Sequence, residues 1–299
     1  MSIDPSDAVQ VAAAHWGLEL IEKTTSRYSD TWFALRGAEH VVLKVGDDQA
    51  RRREATALTA YARSPGATAA LLDSAEGALL LQRVLPGDDL RPVAAVDDDA
   101  ATAVIGAVIR RLHAAPTPSP DRATAAGLPR LSDILMAFSR YRDSGSSRLP
   151  DSVVRRAHDL ATDLTVPSAD DRVLHGDLHH QNVLRRLPAA AEDTSAYGAP
   201  TGYDAQTSWV AIDPHGWFGD PAFDTAASLL NPHETIAETP DPAQLTRRRA
   251  AILAEVTGIP RVRILAWAIA GAVISELWCL EDHDFVAGAP LRLAESLLA

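Results

Sequence analysis

The alternation of apolar and polar positions in the N-terminal part of the chain predicts a small unit rich in β-strands. Residues 32–46 contain two apolar, β-branched runs separated by the turn-like sequence RGAE, a pattern typical of a β-hairpin. A short helix is expected before the hairpin, over residues 7–15. A second helix is expected after it, over residues 47–63, where acidic residues at the start favour the helix dipole. The apolar run of residues 77–85 predicts a buried strand that a proline–glycine pair ends.

Helical spacing dominates the remainder of the chain. Residues 97–113 place apolar side chains at the intervals of one helix face, with aspartates at the start and basic residues at the end. Helical patterns follow over residues 131–142 and 151–164, and over most of the chain from residue 243 onward. Residues 209–213 have the pattern of a short apolar strand. These patterns predict an α+β protein.

Two lobes of unequal size are the organisation that follows from these elements. A small β-rich N-terminal lobe would comprise residues 1–85. A larger, mainly helical lobe would comprise residues 86–299, with a hinge near residues 82–88. A chain of 299 residues is long enough for such a division, and its hydrophobic content of 46% is ordinary for a globular protein.

Charge and apolar content narrow the classes of partner. The formal net charge of −12 would repel nucleic acid and anionic membrane surfaces on average. The longest apolar stretch, residues 264–274, is too short to cross a bilayer and is expected to form a buried helix. The N-terminal residues do not have the pattern of a secretory signal, and the single cysteine, Cys279, precludes an internal disulfide. We therefore expect a cytoplasmic protein whose oligomeric state stays open.

One polar segment, HGDLHHQN at residues 175–182, concentrates the candidate chemistry. Its three histidines are compatible with a zinc site, but their spacing provides no common face, and no Cys-rich or HxxEH-type partner accompanies them. The same segment holds Asp177 five positions before Asn182. A predicted strand then places Asp213 thirty-one positions further along the chain. The two aspartates and the asparagine are therefore stronger candidates for the chemistry than the histidines.

Two upstream residues complete a set that suits phosphoryl transfer from a nucleotide. Lys44 lies in a predicted strand, and Glu54 lies in the helix that follows it. Such a transfer requires a lysine to bind phosphates, a carboxylate to accept the proton of the acceptor hydroxyl, and oxygen ligands for Mg²⁺. The set occurs in the chain order of the corresponding protein-kinase residues: Lys44, Glu54, Asp177, Asn182 and Asp213.

These segments resemble those of the aminoglycoside phosphotransferases, which share the protein-kinase-like fold. HGDLHHQNVL is similar to their catalytic segment, with HGD in place of the HRD of protein kinases, and IDP takes the place of DFG. Within the family, DRVLHGDLHHQNVL, WVAIDPHGWFGDPAFD and ELWCLED most resemble the branch of streptomycin 6-phosphotransferases and hydroxyurea-resistance kinases. The resemblance covers most of the chain from about residue 40 and implies a bilobal, protein-kinase-like fold.

The resemblance also implies a role for each member of the set. Asp177 would be the catalytic base, and Asn182 and Asp213 would be the Mg²⁺ ligands. Lys44 would bind the phosphates of ATP or GTP, with Glu54 as its partner.

Two further residues would support this machinery without contacting substrate. His175 would be structural, and Asp224 would hold the backbone of the catalytic loop. The three consecutive arginines of residues 51–53 are expected to form a solvated helix face rather than an anion site.

The nucleotide base and the outer phosphates would meet other parts of the chain. Backbone groups near Arg83 and Leu85, in the hinge, would contact the base. Protein kinases cover the phosphates with a glycine-rich loop, whereas the corresponding residues 24–35 contain no glycine. Ser29 would instead donate hydrogen bonds to phosphate.

The acceptor is less constrained than the nucleotide. The resemblance implies a small cationic or polyhydroxylated molecule, an aminoglycoside such as streptomycin. Because streptomycin carries guanidinium groups, its pocket is expected to offer carboxylates and a flat aromatic surface. The segment ELWCLEDHD supplies candidates for these contacts, and the alternative is an acidic helix end exposed to water: Glu276, Trp278, Glu281 and Asp282.

The sequence therefore predicts an ATP- and Mg²⁺-dependent O-phosphotransferase that modifies an aminoglycoside. Two alternatives stay open at this point. One is a kinase of the same fold that acts on a sugar or another metabolite. The other is a nucleotide-binding module without catalytic activity.

Overall fold

The computed structural model describes residues 5–24, 30–187 and 208–299. Ser29 lies outside these residues. The described N-terminal part contains helix α1 and a five-stranded antiparallel sheet with the strand order β1-β2-β3-β5-β4. These elements are α1 (Pro5–Trp16), β1 (Glu19–Lys23), β2 (Asp30–Arg36), β3 (Glu39–Val45), α2 (Asp48–Tyr61), β4 (Leu71–Ala75) and β5 (Ala78–Gln82).

The predicted hairpin is confirmed by the register of β2 and β3, in which Thr31 lies opposite Lys44. On its other side β3 pairs with β5, so Lys44 also lies opposite Leu79 in the centre of the sheet. Helix α2 begins at Asp48, and the side chain of Asp47 accepts a hydrogen bond from the N–H of Ala50, as an N-cap residue does. Strand β4 was not anticipated, because its sequence LLDSA has little apolar periodicity.

The chain beyond β5 forms two small sheets and a helical assembly. β6 (Pro86–Asp89), β8 (Val183–Arg186) and β9 (Trp209–Ala211) form one sheet, and β7 (Arg172–Leu174) pairs with β10 (Trp217–Gly219) in the other. The strand predicted over residues 77–85 thus ends earlier, at Gln82, and the proline–glycine pair begins a new strand. The helices are α3 (Arg91–Val96), α4 (Asp98–His113), α5 (Pro120–Ala125), α6 (Met136–Asp143), α7 (Asp151–Leu164), α8 (Ala226–Leu229), α9 (His233–Glu238), α10 (Pro242–Thr257), α11 (Arg261–His283) and α12 (Ala289–Leu298).

Helices α4 and α11 supply much of the central core. In α4, the one-sided apolar pattern buries Ile105, Val108, Ile109 and Leu112, and the helix predicted over 97–113 is confirmed with Asp97 as its N-cap. The helix predicted over residues 151–164 is confirmed as α7. Helix α4 contacts β7 and β9, one strand from each small sheet, and the segment 175–182 connects β7 to β8.

Helix α11 is longer than its apolar sequence predicted. It has 23 residues, and by length and composition alone it could cross a membrane. However, 56% of its most apolar window is buried inside the protein, and Ile264, Trp267 and Ile274 are almost completely enclosed. The apolar stretch therefore packs as a core helix, as predicted, with polar turns added at both ends.

Candidate active site

The sheet, helix α2 and the segment after β9 bring three of the predicted residues into contact. The Lys44 Nζ lies 2.7 Å from Oε1 of Glu54 and 2.5 Å from Oδ1 of Asp213. Lys44 and Glu54 are 5% and 1% exposed, so this contact is an interior one rather than a surface ion pair. The lysine predicted to bind phosphate is thus shared between its helical partner and a predicted metal ligand.

Arg51 adds a second cation to this cluster. Its Nη1 lies 2.7 Å from Oε2 of Glu54, and its side chain is buried. The expectation that residues 51–53 form a solvated face is therefore wrong for Arg51, while Arg52 is exposed and pairs with Asp48. The spacing explains the difference, because Arg51 lies three positions before Glu54, on the buried face of α2.

The cluster balances two positive charges against two negative ones. Burial raises the pKa of Glu54, and the positive charges of Lys44 and Arg51 act against this effect. Burial acts to raise the pKa of Asp213 too, but the ammonium of Lys44 outweighs it and leaves that pKa below its ordinary value. Both carboxylates therefore depend on the cations beside them to remain ionised.

Asp213 reaches the cluster through an unusual backbone conformation. Its φ is 62°, in the left-handed region that residues other than glycine rarely adopt. The residue before it is held in the small sheet by the N–H of Ile212, which donates to the carbonyl of Asn182 at 3.0 Å. The sequence did not predict this backbone conformation of Asp213, which lies two residues after the end of β9.

Asp224 connects the loop of residues 175–182 to the helical core. Its Oδ2 accepts the N–H of His175 at 3.2 Å, and its Oδ1 accepts the N–H of Gly176 at 2.8 Å. The Nε2 of His113, at the end of α4, lies 2.8 Å from the same carboxylate. These are the contacts that a residue holding the loop backbone requires.

His175 is enclosed and hydrogen-bonded on both ring nitrogens. Its Nε2 lies 2.8 Å from the carbonyl of Ile212, and its Nδ1 accepts the N–H of Asp177 at 3.3 Å. Burial lowers its pKa, although Asp224 and Asp177 act in the opposite direction. A neutral imidazole with the proton on Nε2 satisfies both contacts. The ring therefore joins the loop that holds Asp177 to the segment after β9.

Gly176 occupies a position that no side chain fits. Its φ is 81°, and a Cβ built on it would lie 2.5 Å from Cδ1 of Trp217. The tryptophan comes from β10, which pairs with β7 immediately before the loop. The glycine of HGD, where protein kinases have arginine, is therefore required by the packing of Trp217.

Asp177 and Asn182 face one another across the loop. The Asn182 Nδ2 donates to the carbonyl oxygen of Asp177 at 2.8 Å and lies 3.3 Å from its Oδ2. The Nε2 of His179 lies 3.5 Å from the same Oδ2, and the Nε2 of His215 lies 3.7 Å from it. Burial acts to raise the pKa of Asp177, but the hydrogen bond and charge of His179 lower it overall, which favours the ionised form that a base requires.

The side chains at this site fit a magnesium ion better than zinc. The Nδ2 of Asn182 donates within the loop, which leaves its Oδ1 as the atom that could bind a metal. Asp213 adds a carboxylate, so the candidate metal ligands are oxygens, which magnesium prefers. Among the residues the structure describes, three or more His, Cys, Asp or Glu side chains do not gather closely enough to hold a metal. The histidines of the loop have separate surroundings: His175 is hydrogen-bonded, His179 faces Asp177, and His180 is buried with its pKa lowered to about 4.

The backbone groups predicted to meet the nucleotide base are partly engaged. The N–H of Arg83 donates to the carbonyl of His40 at 3.2 Å, and the carbonyl of Leu85 accepts the N–H of Leu187 at 3.0 Å. The guanidinium of Arg83 lies 3.8 Å from the centre of the Phe33 ring. These two backbone groups stabilise the protein itself, which leaves any base contact to their neighbours in the hinge.

The predicted acceptor residues do not join the site. Glu276 is wholly buried, and its carboxylate accepts the N–H groups of Ala287, Gly288 and Leu291 at 2.7 to 3.1 Å, where it fixes the start of α12. Its assignment as an acceptor ligand is wrong, because its lone pairs are occupied by the backbone.

The other three candidates lie on the outer surface near the end of α11. Glu281 pairs with Arg140 of α6 at 2.7 Å, and Asp282 is exposed. Trp278 is 37% exposed. Trp267, which contacts Asp220 near the active-site segment, precedes Trp278 by eleven residues, a distance of about 16 Å along a helix. The positions of Trp278, Glu281 and Asp282 match the alternative expectation, an acidic helix end exposed to water.

Asp220 is a structural residue that the sequence did not reveal. It is buried, and its Oδ2 accepts the Nε1–H of Trp267 at 2.5 Å and the Nε–H of Arg263 at 2.8 Å. It therefore fixes α11 to the segment that carries Asp224. The sequence GDPAFD did not predict this role, because a single sequence does not distinguish a buried aspartate from an exposed one.

Sequence comparison places these features among known proteins. A model of the family described as aminoglycoside/hydroxyurea antibiotic resistance kinase matches residues 19–283. The chain is 33% identical over 230 residues to the streptomycin 6-kinase of Streptomyces griseus, a match of 75% of this chain and 66% of that protein. It is 31% identical over 214 residues to the streptomycin 3''-kinase of Klebsiella pneumoniae, covering 70% and 69% of the two chains.

Structure comparison supports the same fold. A thermostable mutant of the aminoglycoside phosphotransferase APH(4)-Ia, solved as a ternary complex with ADP and hygromycin B, superposes with a TM-score of 0.61. The superposition covers 97% of each chain at 16% sequence identity. The predicted bilobal, protein-kinase-like fold is thereby confirmed.

Proposed function

Because this chain belongs to the aminoglycoside/hydroxyurea antibiotic resistance kinase family, we propose that it is an ATP- and Mg²⁺-dependent O-phosphotransferase. The acceptor is a hydroxyl of a small cationic molecule, with streptomycin as the first candidate. The observation that carries this proposal is the joining of Lys44, Glu54 and Asp213 in one cluster beside a loop that holds Asp177 and Asn182 face to face.

Each residue of the set has a separate task in this reaction. Lys44 leaves Asp213 and binds the phosphates, while Glu54 holds it in place. Asn182 and Asp213 would hold Mg²⁺, and this ion would neutralise charge on the phosphate oxygens. Asp177 accepts the proton of the acceptor hydroxyl as that oxygen forms a bond to the γ-phosphorus and the bond to the β-phosphate oxygen breaks. The products are the phosphorylated acceptor and ADP.

The acceptor class is supported by the relatives rather than by a pocket. Three relatives are named as streptomycin kinases, two of them as 6-kinases and one as a 3''-kinase. The matched region spans 66% to 69% of their lengths. The net charge of −12 also favours the approach of a polycationic acceptor over that of an anionic one.

A panel of acceptors tests this function directly. The purified protein is incubated with ATP or GTP and Mg²⁺ together with streptomycin, hygromycin B, hydroxyurea, choline or simple amino sugars, and ADP or GDP formation is measured. Mass spectrometry of the product would show an added phosphoryl group, and NMR would assign its position. Turnover with streptomycin supports the proposal. Turnover only with choline or a sugar would replace it with a metabolite kinase.

Nucleotide binding without turnover on any acceptor would identify a non-catalytic module instead. Calorimetry with a non-hydrolysable ATP analogue and Mg²⁺ measures that binding separately. Lys44→Met is the control in this measurement, because it removes the ammonium from the nucleotide site.

A further inference from the structure

Three side-chain nitrogens lie close to one oxygen of the Asp177 carboxylate. The Nδ2 of Asn182, the Nε2 of His179 and the Nε2 of His215 lie 3.3, 3.5 and 3.7 Å from Oδ2. For each of these three groups, the closest oxygen of Asp177 is Oδ2. The two oxygens of the predicted base therefore have different surroundings, and Oδ1 is the candidate to receive the acceptor proton.

His215 differs in origin from the other two nitrogen donors. Asn182 and His179 belong to the catalytic loop itself, whereas His215 follows Asp213 by two residues. Its backbone N–H donates to the carbonyl of His175 at 2.8 Å, which fixes its main chain against the catalytic loop. Its side chain is 59% exposed, so it lies at the solvent side of the carboxylate.

The neighbouring ring shows which nitrogen carries a proton. The Nδ1 of His179 accepts the N–H of Gln181 at 3.2 Å, which assigns the ring proton to Nε2; this nitrogen lies 3.5 Å from Oδ2 of Asp177 and 3.4 Å from Nδ2 of Asn182. His215 presents the same nitrogen, Nε2, to the same oxygen from the opposite loop. The two imidazoles thus approach Oδ2 as a pair.

We propose that His215 is a positioning residue for Asp177. Its Nε2 lies 3.7 Å from Oδ2, beyond hydrogen-bond distance, and the proposal is that this gap closes when the substrates bind, so that Nε2–H holds Oδ2 while Oδ1 accepts the proton of the acceptor hydroxyl. The proposal rests on the proposed phosphotransferase function, and it assigns to this chain a link from the metal-binding loop to the base that neither HGDLHHQN nor IDP contains.

Steady-state kinetics with streptomycin, ATP and Mg²⁺ test this role. His215→Ala should lower kcat by about 10- to 100-fold, because a misdirected base loses alignment with its proton. The KM for ATP and the thermal midpoint should stay at wild-type values, since the exposed ring supports neither. An unchanged kcat, or an equal loss from His158→Ala on the surface of α7, overturns the proposal.

Conservative variants separate positioning from packing. His215→Gln carries an amide N–H at about the reach of Nε2 and should recover most of the lost kcat. His215→Asn carries the same group on a shorter side chain and should not. In the Asp177→Asn background, His215→Ala should cause little further loss, because it acts through the carboxylate; additive losses would contradict the proposal.

Side-chain NMR tests the contact between His215 and Asp177 even if no acceptor is phosphorylated. In long-range ¹H–¹⁵N spectra of the wild-type protein, Asp177→Ala should shift the Nε2 resonances of His215 and His179 and leave that of His158 in place. If no acceptor is phosphorylated but these shifts occur, the proposed function fails and the His215–Asp177 contact stands. Unshifted His215 resonances overturn the contact itself.

Discussion

The Nζ of Lys44 lies 2.5 Å from Oδ1 of Asp213, although 169 positions separate the two residues in the chain. One comes from the centre of the five-stranded sheet and the other from the loop after β9. The contact therefore joins the sheet to the loop after β9 by an ion pair. It is also the contact that a nucleotide with its metal would have to replace.

Replacing this lysine should abolish nucleotide use without unfolding the protein. We expect Lys44→Met to lower kcat/KM for ATP by at least about 100-fold, because a preorganised charge on the phosphates is lost. Arg51 still accompanies Glu54, so most of the stability should remain. Lys23 is the only other lysine in the chain and is half exposed, so Lys23→Met is a matched control.

Removing the predicted base should affect the chemical step alone. Asp177→Ala is expected to lower kcat by roughly 10²- to 10⁴-fold, as the loss of a general base does, while the Kd for nucleotide changes little. Single-turnover kinetics with streptomycin measure the step, and calorimetry measures binding. Near-normal turnover in this variant would remove Asp177 from the mechanism.

Two adjacent arginines should behave differently. Arg51→Ala leaves one oxygen of the buried Glu54 carboxylate without its cation and should cost about 2–4 kcal/mol of unfolding free energy in urea titrations. Arg52→Ala removes an exposed side chain and should leave the urea midpoint unchanged. Equal midpoints for the two variants would contradict the buried position of Arg51.

Gly176 and another glycine with positive φ allow the clash to be separated from the backbone conformation. Gly145 has φ of 68° and open space around it, so Gly145→Ala should cost only about 1 kcal/mol. Gly176→Ala has the same backbone cost and in addition forces Trp217 to move. We expect a clearly larger loss of stability by urea titration and a fall in kcat. Similar losses for both variants would argue against the tryptophan contact.

Glu276 should matter to stability but not to the acceptor. Glu276→Gln directs an amide N–H at backbone N–H groups and should cost about 2 kcal/mol, measured by chemical denaturation. The KM for streptomycin should be unchanged in this variant. Glu281→Gln, on the surface, should change neither quantity, and a raised KM in either variant would restore these residues to the acceptor site.

The fold was largely predictable because its helices and its hairpin have strong periodicity. The one-sided apolar pattern of residues 97–113 and the break between β2 and β3 identify their elements from spacing alone. Strand β4 was missed because short, polar edge strands bury few side chains and leave little pattern.

The site was predictable only in part, since chain order names residues but does not place side chains. Motif order selected Lys44, Asp177 and Asp213 as candidates, and the structure brings Lys44 and Asp213 together. Motif order could not show that Arg51 turns inward, that His215 lies near Asp177, or that the Glu276 carboxylate binds the start of α12. Each of these depends on which neighbour reaches the side chain first, and that is decided by packing between distant segments.

The attachment of the catalytic loop has a consequence for how the cleft can move. Asp224 ties the loop to a residue at the end of α4, so Asp177, Asn182 and Asp224 belong to the helical core. Lys44 belongs to the sheet. A rotation of the sheet would therefore separate Lys44 from Asp213, while the hydrogen bonds around Asp177 and Asn182 would move as one unit with the helical core.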